Sequence, residues 1–361
     1  MSLLGRKVPH VILNAEYNDK LTIYEIIELP TKLEQLSLTK PSNILNLEIK
    51  NPWRITSEEE KHLLIESSGG STKIELQYQI AGGKILFRDW IISPQACFTI
   101  DATIRTPMPY KSIMNAPIYG YHVWGKYGYS RWISHLPRQE YILSIDEYLI
   151  YDDKNYIVAT VRIDQLEKIR TLIRNIYSKS KDLVPWKRPI FVYNDKINAT
   201  ISTNIVLTRE LSENSLLELL VKSIIRNTNI IENPEHLINT VISLIYNRDD
   251  NIINENTYFG LAKFYGYNVI KELLEYVLET CADKLEILLE RIFRNNTDTV
   301  LALLRRRKVK TFIHGGEIEC REGPCIIIIY RGEVESIKAI LETGEKLRFT
   351  TPMRDVKIQV L

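Results

Sequence analysis

The stretch Lys73-Ile-Glu-Leu-Gln-Tyr-Gln-Ile80 indicates the fold class of this chain. Its apolar and polar residues alternate, which is typical of a β-strand that buries one of its two faces. It is followed by Ala81-Gly82-Gly83 and then by the apolar and aromatic segment 84–92. Because adjacent glycines supply the positive φ that a tight turn needs, the two segments are predicted to form a β-hairpin.

Strand patterns extend in both directions from this hairpin, from about residue 8 to about residue 206. One amphipathic helix interrupts them at 164–177, because its apolar residues recur at spacings of three and four and Asp164 stands at the N-cap position. Residues 1–206 are therefore predicted to form a β-rich α+β domain with a predominantly antiparallel sheet. Further strands are predicted at 10–17, 95–105, 141–151 and 156–162.

The periodicity of the sequence changes to 3.6 residues after Thr208. Asn233-Pro234 is a helix-start signal, an N-cap residue followed by proline at the first helical position, and residues 207–311 are predicted to form a helical domain. Cys325-Ile-Ile-Ile-Ile-Tyr330 then indicates a strand buried on both faces, so residues 312–361 are predicted to form a small β-sheet segment. The predicted fold class is α+β, with a β-rich N-terminal region, a helical middle domain and a small C-terminal β-sheet.

Length and composition exclude several classes of protein. The chain has 361 residues, 47 Lys and Arg against 45 Asp and Glu, and 45% hydrophobic residues, so it is neither disordered nor collagen-like. No apolar run approaches the ~18–20 residues that span a bilayer, and the first residues lack a signal-peptide pattern, which favours a cytoplasmic protein without membrane contact. Abundant isoleucine, lysine and glutamate favour a thermophilic archaeon or one of its viruses as the source. A mesophile with an AT-rich genome is the alternative.

Common catalytic motifs are missing from the sequence. The phosphate-binding patterns G-x-x-x-x-G-K-[ST] and G-x-G-x-x-G and the nucleophile pattern G-x-S-x-G do not occur, and we expect no cofactor and assign no catalytic residue. Glu48-Ile49-Lys50 is a candidate for a metal-dependent nuclease, because a carboxylate and a lysine two residues apart share one face of a strand. An exposed Glu–Lys pair explains the same pattern.

Two cysteines lie close together near the C-terminus. Cys320 and Cys325, with His314, supply three potential ligands, whereas a closed zinc site needs four. Two buried thiols are the favoured interpretation, and a disulfide across the intervening turn is the alternative.

Cationic and aromatic residues cluster in three segments. Residues 165–190 carry seven cations and two anions, residues 305–308 are all cationic, and residues 119–138 combine tyrosine, tryptophan and glycine with cations. Spaced cations suit a phosphate backbone, and accessible rings suit the stacking of unpaired bases. The alternatives are a solvated helix face, cations that stabilise a helix C-terminus, and a loop that closes the sheet core. The predicted nucleic-acid-binding residues are Lys126, Tyr127, Tyr129, Arg131, Trp132, Arg138, Lys168, Arg170, Arg174, Lys179, Lys181, Lys187, Arg188, Arg305, Arg306 and Arg307.

In layout and size the chain is similar to the large non-catalytic subunit of archaeal CRISPR interference complexes. That resemblance implies guide RNA, target DNA and other protein subunits as partners. The function predicted from the sequence is therefore a non-catalytic nucleic-acid-binding subunit of a ribonucleoprotein or DNA-processing assembly, such as CRISPR-based antiviral defence. The alternatives are a metal-dependent nuclease that uses Glu48 and Lys50, and a structural or viral interaction protein with no nucleic-acid role.

Overall fold

The computed structural model describes residues 8–81, 86–226, 231, 234–246, 257–279, 281, 310–314, 317–322, 325–331, 334–348 and 356–360. The chain divides into two compact units. Unit 1 comprises Met1–Asn175, Trp186–Asn227 and Leu278–Cys281, and unit 2 comprises Ile176–Pro185, Thr228–Val277 and Ala282–Leu361. The protein is a mixed α/β protein whose N-terminal region is rich in sheet, as predicted.

Most of the described strands belong to unit 1. They are β1 (His10–Asn18), β2 (Lys20–Thr39), β3 (Ile44–Ile49), β4 (Trp53–Glu58), β5 (His62–Ile80), β6 (Leu86–Phe87), β7 (Ser93–Pro94), β8 (Phe98–Pro107), β9 (Lys111–Met114), β10 (Ile118–Trp124), β11 (Tyr127–Arg138), β12 (Leu143–Asp146), β13 (Leu149–Asp152), β14 (Ile157–Thr160), β15 (Ile190–Tyr193), β16 (Thr200–Ser202) and β17 (Ile205–Thr208). Two helices accompany them, α1 (Ile163–Ser180), which begins in unit 1, and α2 (Glu213–Ile225).

Nine of the described strands form one large sheet, with the order β10-β11-β8-β1-β2-β5-β3 and with β4 and β7 paired beside β5 and β2. Its centre is the antiparallel pair of the two longest strands, β2 and β5. From Lys20 to Pro30 the residues of β2 alternate between buried and partly exposed positions, so one face of the sheet forms the core. The pairs in this sheet are antiparallel except for β1 with β8.

The segment 73–80 lies in β5, as the alternation predicts, but its partners differ from the predicted hairpin. β5 pairs with β2 on one side and with β3 and β4 on the other, so both of its edges are already occupied. Of the segment 84–92, Leu86–Phe87 is strand, and it pairs with β12. The turn at Gly82 and Gly83 lies outside the described residues.

The structure describes two further sheets in unit 1 besides the large one. A three-stranded sheet has the order β6-β12-β9, and a five-stranded sheet has the order β13-β14-β15-β17-β16. In the second sheet β14, β15 and β17 are parallel and almost wholly buried, and α1 connects β14 to β15 as a crossover helix. The predominantly antiparallel sheet that we predicted therefore describes the large sheet but not the core of this one.

Within the described residues, unit 2 combines helices with short strands. The helices α3 (Pro234–Tyr246) and α4 (Thr257–Tyr265) contact each other, and α5 (Asn268–Glu279) follows them. The strands form two three-stranded sheets within the described residues. They are β18 (Lys310–His314), β19 (Glu317–Glu322), β20 (Cys325–Arg331), β21 (Val334–Leu341), β22 (Lys346–Arg348) and β23 (Val356–Val360).

The predicted middle domain, 207–311, contains α2 to α5, but residues 282–309 lie outside the described residues. A helical middle domain therefore stays a prediction, as does the division into domains at 206 and 311. Among the helices that the structure describes, none has the length and apolar character needed to cross a membrane.

All four cysteines are paired. Cys320 and Cys325 form a disulfide in unit 2, which is the alternative that the sequence left open. Cys97 and Cys281 form a second disulfide within unit 1, across 184 residues of sequence. The sequence offered no basis for the second pair, because its members belong to elements that are remote in the chain.

A carboxyl group lies in the core of the large sheet. Glu25 of β2 is fully buried, and it accepts a hydrogen bond of 2.5 Å from the hydroxyl of Tyr78, which in turn accepts the backbone N–H of Ile92 at 3.2 Å. Burial raises the pKa of Glu25 to about 8, although its hydrogen bonds act in the opposite direction. The second carboxyl oxygen has no hydrogen-bond partner.

We expect Glu25→Gln to remove a pH dependence of stability. Between the ordinary pKa of 4.5 and about 8 the folded carboxyl keeps its proton while the unfolded one has lost it. Stability should therefore fall as pH rises through that window, by up to about 1.4 kcal/mol per pH unit, and then level off. Denaturant unfolding at about pH 5 and about pH 8 measures this slope.

The matched control is Glu75→Gln. Glu75 is partly exposed, and its hydrogen bonds to Lys73, Tyr24 and Lys50 lower its pKa to about 2, so it stays ionised throughout the same window. This variant should keep the wild-type slope. A Glu25→Gln protein with an unchanged slope would show that Glu25 is already ionised in the folded state.

Candidate functional site

Among the described residues of unit 1, several exposed large apolar side chains lie in the hairpin of β10 and β11, here called the aromatic hairpin (Ile118–Arg138). Trp124 and Tyr127 pair across a two-residue loop of Gly125 and Lys126. Gly125 has a φ of +59°, a conformation that tight hairpin turns need and that glycine adopts without strain. β11 pairs with β8 on its other side, whereas β10 is the edge of the large sheet.

One face of the aromatic hairpin carries a ladder of rings and cations. The guanidinium carbon of Arg105, on β8, lies 3.6 Å from the ring centre of Tyr127 and 5.9 Å from that of Tyr129. The Tyr129 ring stacks on His122 with centroids 4.9 Å apart and planes 2° from parallel. Farther along, the guanidinium of Arg131 lies 5.4 Å from the ring of Tyr119. These contacts hold the rings in fixed positions on an accessible surface.

The other face of the aromatic hairpin leads into the core. Ser130 and Trp132 are buried there, and the ring of Tyr121 crosses Gly128 so closely that a Cβ at this glycine would lie 2.7 Å from the Tyr121 hydroxyl. That hydroxyl donates to the sulfur of Met108 at 3.6 Å, and partial burial raises the pKa of Tyr121. Gly128 therefore allows the outer strand to close against the sheet.

The outer strand exposes large apolar side chains. Tyr119, Val123 and Trp124 are 74%, 52% and 77% exposed. The strand Ile118–Trp124 contains no charged residue, whereas the strands on the far side of the sheet carry Glu48 in β3 and Arg54 and Glu58 in β4. Because neighbouring residues of a strand point to opposite faces, Val123 and Trp124 expose apolar surface on both sides of this edge, and exposed apolar surface is a feature of interaction sites.

The arginines of this site are held by carboxylates. Arg131 donates to both oxygens of Asp101, at 3.0 and 2.6 Å, and these bonds raise the pKa of Arg131. Arg105 forms an ion pair of 3.0 Å with Glu16. Lys126, at the turn, lies 5.5 Å from the ring of Tyr127. The local excess of positive charge that the sequence indicated is therefore largely balanced in space.

Two of the predicted binding residues are not on the surface. Trp132 is 1% exposed, and its indole N–H donates to Ser130 at 3.0 Å. Arg138 is 4% exposed and donates to the backbone carbonyls of Asn115 and Thr203, and its burial lowers the pKa of its guanidinium. The indole N–H of Trp132 and the Nη1 group of Arg138 thus have buried partners, whereas the Nε of Arg138 has none among the described residues.

The segment 165–190 also has most of its cations engaged. Arg170 pairs with Glu167 and stacks 3.7 Å from the ring of Tyr151, and Arg174 hydrogen-bonds to Tyr156. Arg188 pairs with Asp152, and Lys187 lies 3.0 Å from Glu279.

The remaining predicted residues are placed as follows. Lys168 is exposed on α1, and Lys179 and Lys181 belong to unit 2, where Lys179 lies 5.5 Å from the ring of Tyr246. Arg305, Arg306 and Arg307 lie outside the described residues. The role of the whole set in binding stays a prediction.

The described residues contain no metal site that would support the nuclease alternative. Lys50 lies just past the end of β3 and binds Glu75 at 3.1 Å, beneath the ring of Tyr24 at 4.9 Å. Within the part of the chain that the structure describes, no three His, Cys, Asp or Glu residues are close enough to hold a metal ion. The zinc-hydrolase motif His-Glu-x-x-His is also missing from the sequence.

Comparison with known proteins identifies the fold. No protein-family model and no curated protein sequence matches the chain. Two solved structures of leukotriene A4 hydrolase from the yeast Saccharomyces cerevisiae match it with TM-scores of 0.57 and 0.58 and 11% identity, over 85% of this chain and 69% of the hydrolase chain. The chain therefore shares the fold of these structures over that range, and at this identity the likeness concerns the fold alone.

The predicted function, a non-catalytic nucleic-acid-binding subunit, is wrong. The fold found by comparison is that of a hydrolase, along 85% of the chain. The physical basis of the error is that cations from the cation-rich segments, such as Arg131 and Arg188, are paired with carboxylates of β8 and β13. No comparison bears on the resemblance to CRISPR subunits.

The residues that best define the site were not among those predicted. Tyr119, Val123 and Trp124 lie in the segment 119–138, whereas the residues predicted there carry a charge or a ring close to a charge. The available signal was the run Ile-Tyr-Gly-Tyr-His-Val-Trp124 itself, a strand pattern without any charged residue.

Proposed function

We propose that this hydrolase-fold protein binds polypeptide segments of a partner protein through the aromatic hairpin. The observation that supports the proposal is the exposure of Tyr119, Val123 and Trp124 on an uncharged outer strand. Tryptophan and tyrosine on a fixed scaffold provide large contact areas at a small cost in conformational entropy, and they dominate the energy of many protein interfaces.

The electrostatics of the hairpin favour a polypeptide ligand whose apolar side chains make the main contacts. Arg105 and Arg131 are already bound to Glu16 and Asp101, so a ligand gains little charge attraction from them. Burial of the exposed rings then provides most of the binding free energy, and this contribution depends weakly on salt.

We expect Trp124→Ala with Tyr119→Ala to weaken polypeptide binding by about tenfold or more, because both side chains lose apolar contact area. Reduced and alkylated α-lactalbumin serves as an unfolded probe, and interferometry at about 0.05 and 0.5 M salt measures its affinity and salt dependence. The wild-type affinity should change little between the two salt concentrations.

The matched control is Ile163→Ala, which removes another exposed apolar side chain of unit 1, 76% exposed, at the start of α1. This variant should bind like the wild type. No detectable binding by the wild type, or an equal loss in the control, would contradict the proposal.

A hydrolytic activity is the second candidate, and the hydrolase fold over 85% of the chain favours it. A fold alone does not determine the chemistry, which depends on the site. Because the described residues hold no three-ligand group and the sequence lacks His-Glu-x-x-His, we expect added Zn²⁺ to leave any turnover unchanged. Assays with peptides, esters and leukotriene A4, with and without Zn²⁺, test this; zinc-dependent turnover would contradict it.

A further inference from the structure

We infer that the ligand is an extended acidic segment of a partner protein that adds to β10 as an antiparallel strand of the large sheet. This inference rests on the proposed function and specifies its ligand and binding mode. The ligand would supply a backbone that pairs with the outer edge of β10, apolar side chains at alternate positions, and carboxylates at its N-terminal end.

The hydrogen-bond pattern of the sheet determines which groups of β10 are available. The N–H of Met108, next to β8, donates to the backbone carbonyl of Lys126 at 2.9 Å. The backbone N–H and C=O groups of Lys126 therefore face β8. Because the backbone groups of successive residues alternate between the two sides of a strand, the N–H and C=O groups of Tyr127 face β10. Pro107, opposite Tyr127, agrees with this assignment because it has no N–H to donate.

The same alternation continues onto the outer strand. Trp124 and His122 pair with Tyr127 and Tyr129, so their backbone groups face β11. The N–H and C=O groups of Tyr121 and Val123 therefore point away from the sheet. Within the described residues no strand pairs with that side of β10, which leaves these groups available to an added strand.

The side chains of β10 do not block such an addition. Natural edge strands are usually protected by charged residues, prolines or bulges, which prevent pairing with other chains. Ile118–Trp124 has no charge and no proline, and its one irregularity is the register shift between Ile118 and Gly120, at the end remote from the turn. The half nearest the turn is regular and open.

The turn indicates the charge of the ligand and the direction in which its chain runs. The aromatic hairpin contains no Asp or Glu, and no described carboxylate forms an ion pair with Lys126. β10 runs toward the turn, so an antiparallel segment begins near the turn and runs away from it. Acidic residues at the start of the segment would then lie beside Lys126, which favours an acidic partner over a second copy of this uncharged strand.

The first experiment uses a short synthetic peptide with two glutamates followed by alternating valine and threonine. Two derivatives carry N-methyl groups on alternate residues, one on the odd set and one on the even set. Because an added strand turns only every second N–H toward β10, one derivative should lose binding by about tenfold or more and the other should bind like the parent peptide.

The second experiment changes the protein. Val123→Pro removes an outward N–H without removing a bond to β11, so the hairpin should stay folded, and peptide binding should fall by about tenfold or more. Val123→Ala shortens the side chain but keeps the N–H, and it should lose clearly less affinity than Val123→Pro. Circular dichroism of both variants checks that the fold is intact.

The outcomes separate this inference from the function on which it rests. Equal binding of both N-methylated peptides, or unchanged binding by Val123→Pro, together with a loss on Trp124→Ala, would overturn strand addition and leave polypeptide binding in place. Loss of all peptide and polypeptide binding in the wild type would overturn both. A wild-type dimer that Val123→Pro converts to a monomer, and that the peptide cannot compete with, would assign the edge to a second copy.

Discussion

The antiparallel pairing of β2 with β5 is the constraint on which the rest of unit 1 depends. These strands have 20 and 19 residues, and their register determines which face of every later strand points into the core. A shift of one residue would exchange the buried and exposed faces along the whole pair. The register even holds Glu25 between Leu13 and Leu76 in the core, at a position where burial disfavours its ionised form. A network of apolar pairs outweighs the cost of one buried carboxyl.

That pairing also explains how the hairpin comes to be exposed. From β2 the sheet continues through β1, β8 and β11 to β10, and each added strand is supported by the one before it. β11 alternates buried and exposed residues because one of its faces still covers the core, whereas β10 extends past the core and is exposed on nearly all its residues. The aromatic rings of β10 are therefore fixed by the sheet without being buried in it.

The sequence predicted local features well, because short-range periodicity reflects local burial. The helix expected at 164–177 extends from Ile163 to Ser180, and the alternation at 73–80 lies within β5. The sequence did not predict which strands pair. The segment 84–92 follows a glycine turn, yet its strand residues pair with β12. Pairing depends on contacts between distant segments, and composition alone does not encode them.

The same reason explains the error over the site. A stretch of sequence has a net charge, but a surface has the charge that remains after distant residues have paired with it. Arg131 meets Asp101 and Arg105 meets Glu16 through neighbouring strands, and Arg188, just before β15, meets Asp152 at the end of β13. Arg138 lies in the interior, where its Nη1 group donates to backbone carbonyls. What remains at the hairpin after this compensation is apolar surface and unpaired backbone. An uncharged edge of this kind exposes a protein to unwanted pairing, so its persistence beside edges that carry Glu48 and Glu58 is itself an argument that pairing at β10 serves a function.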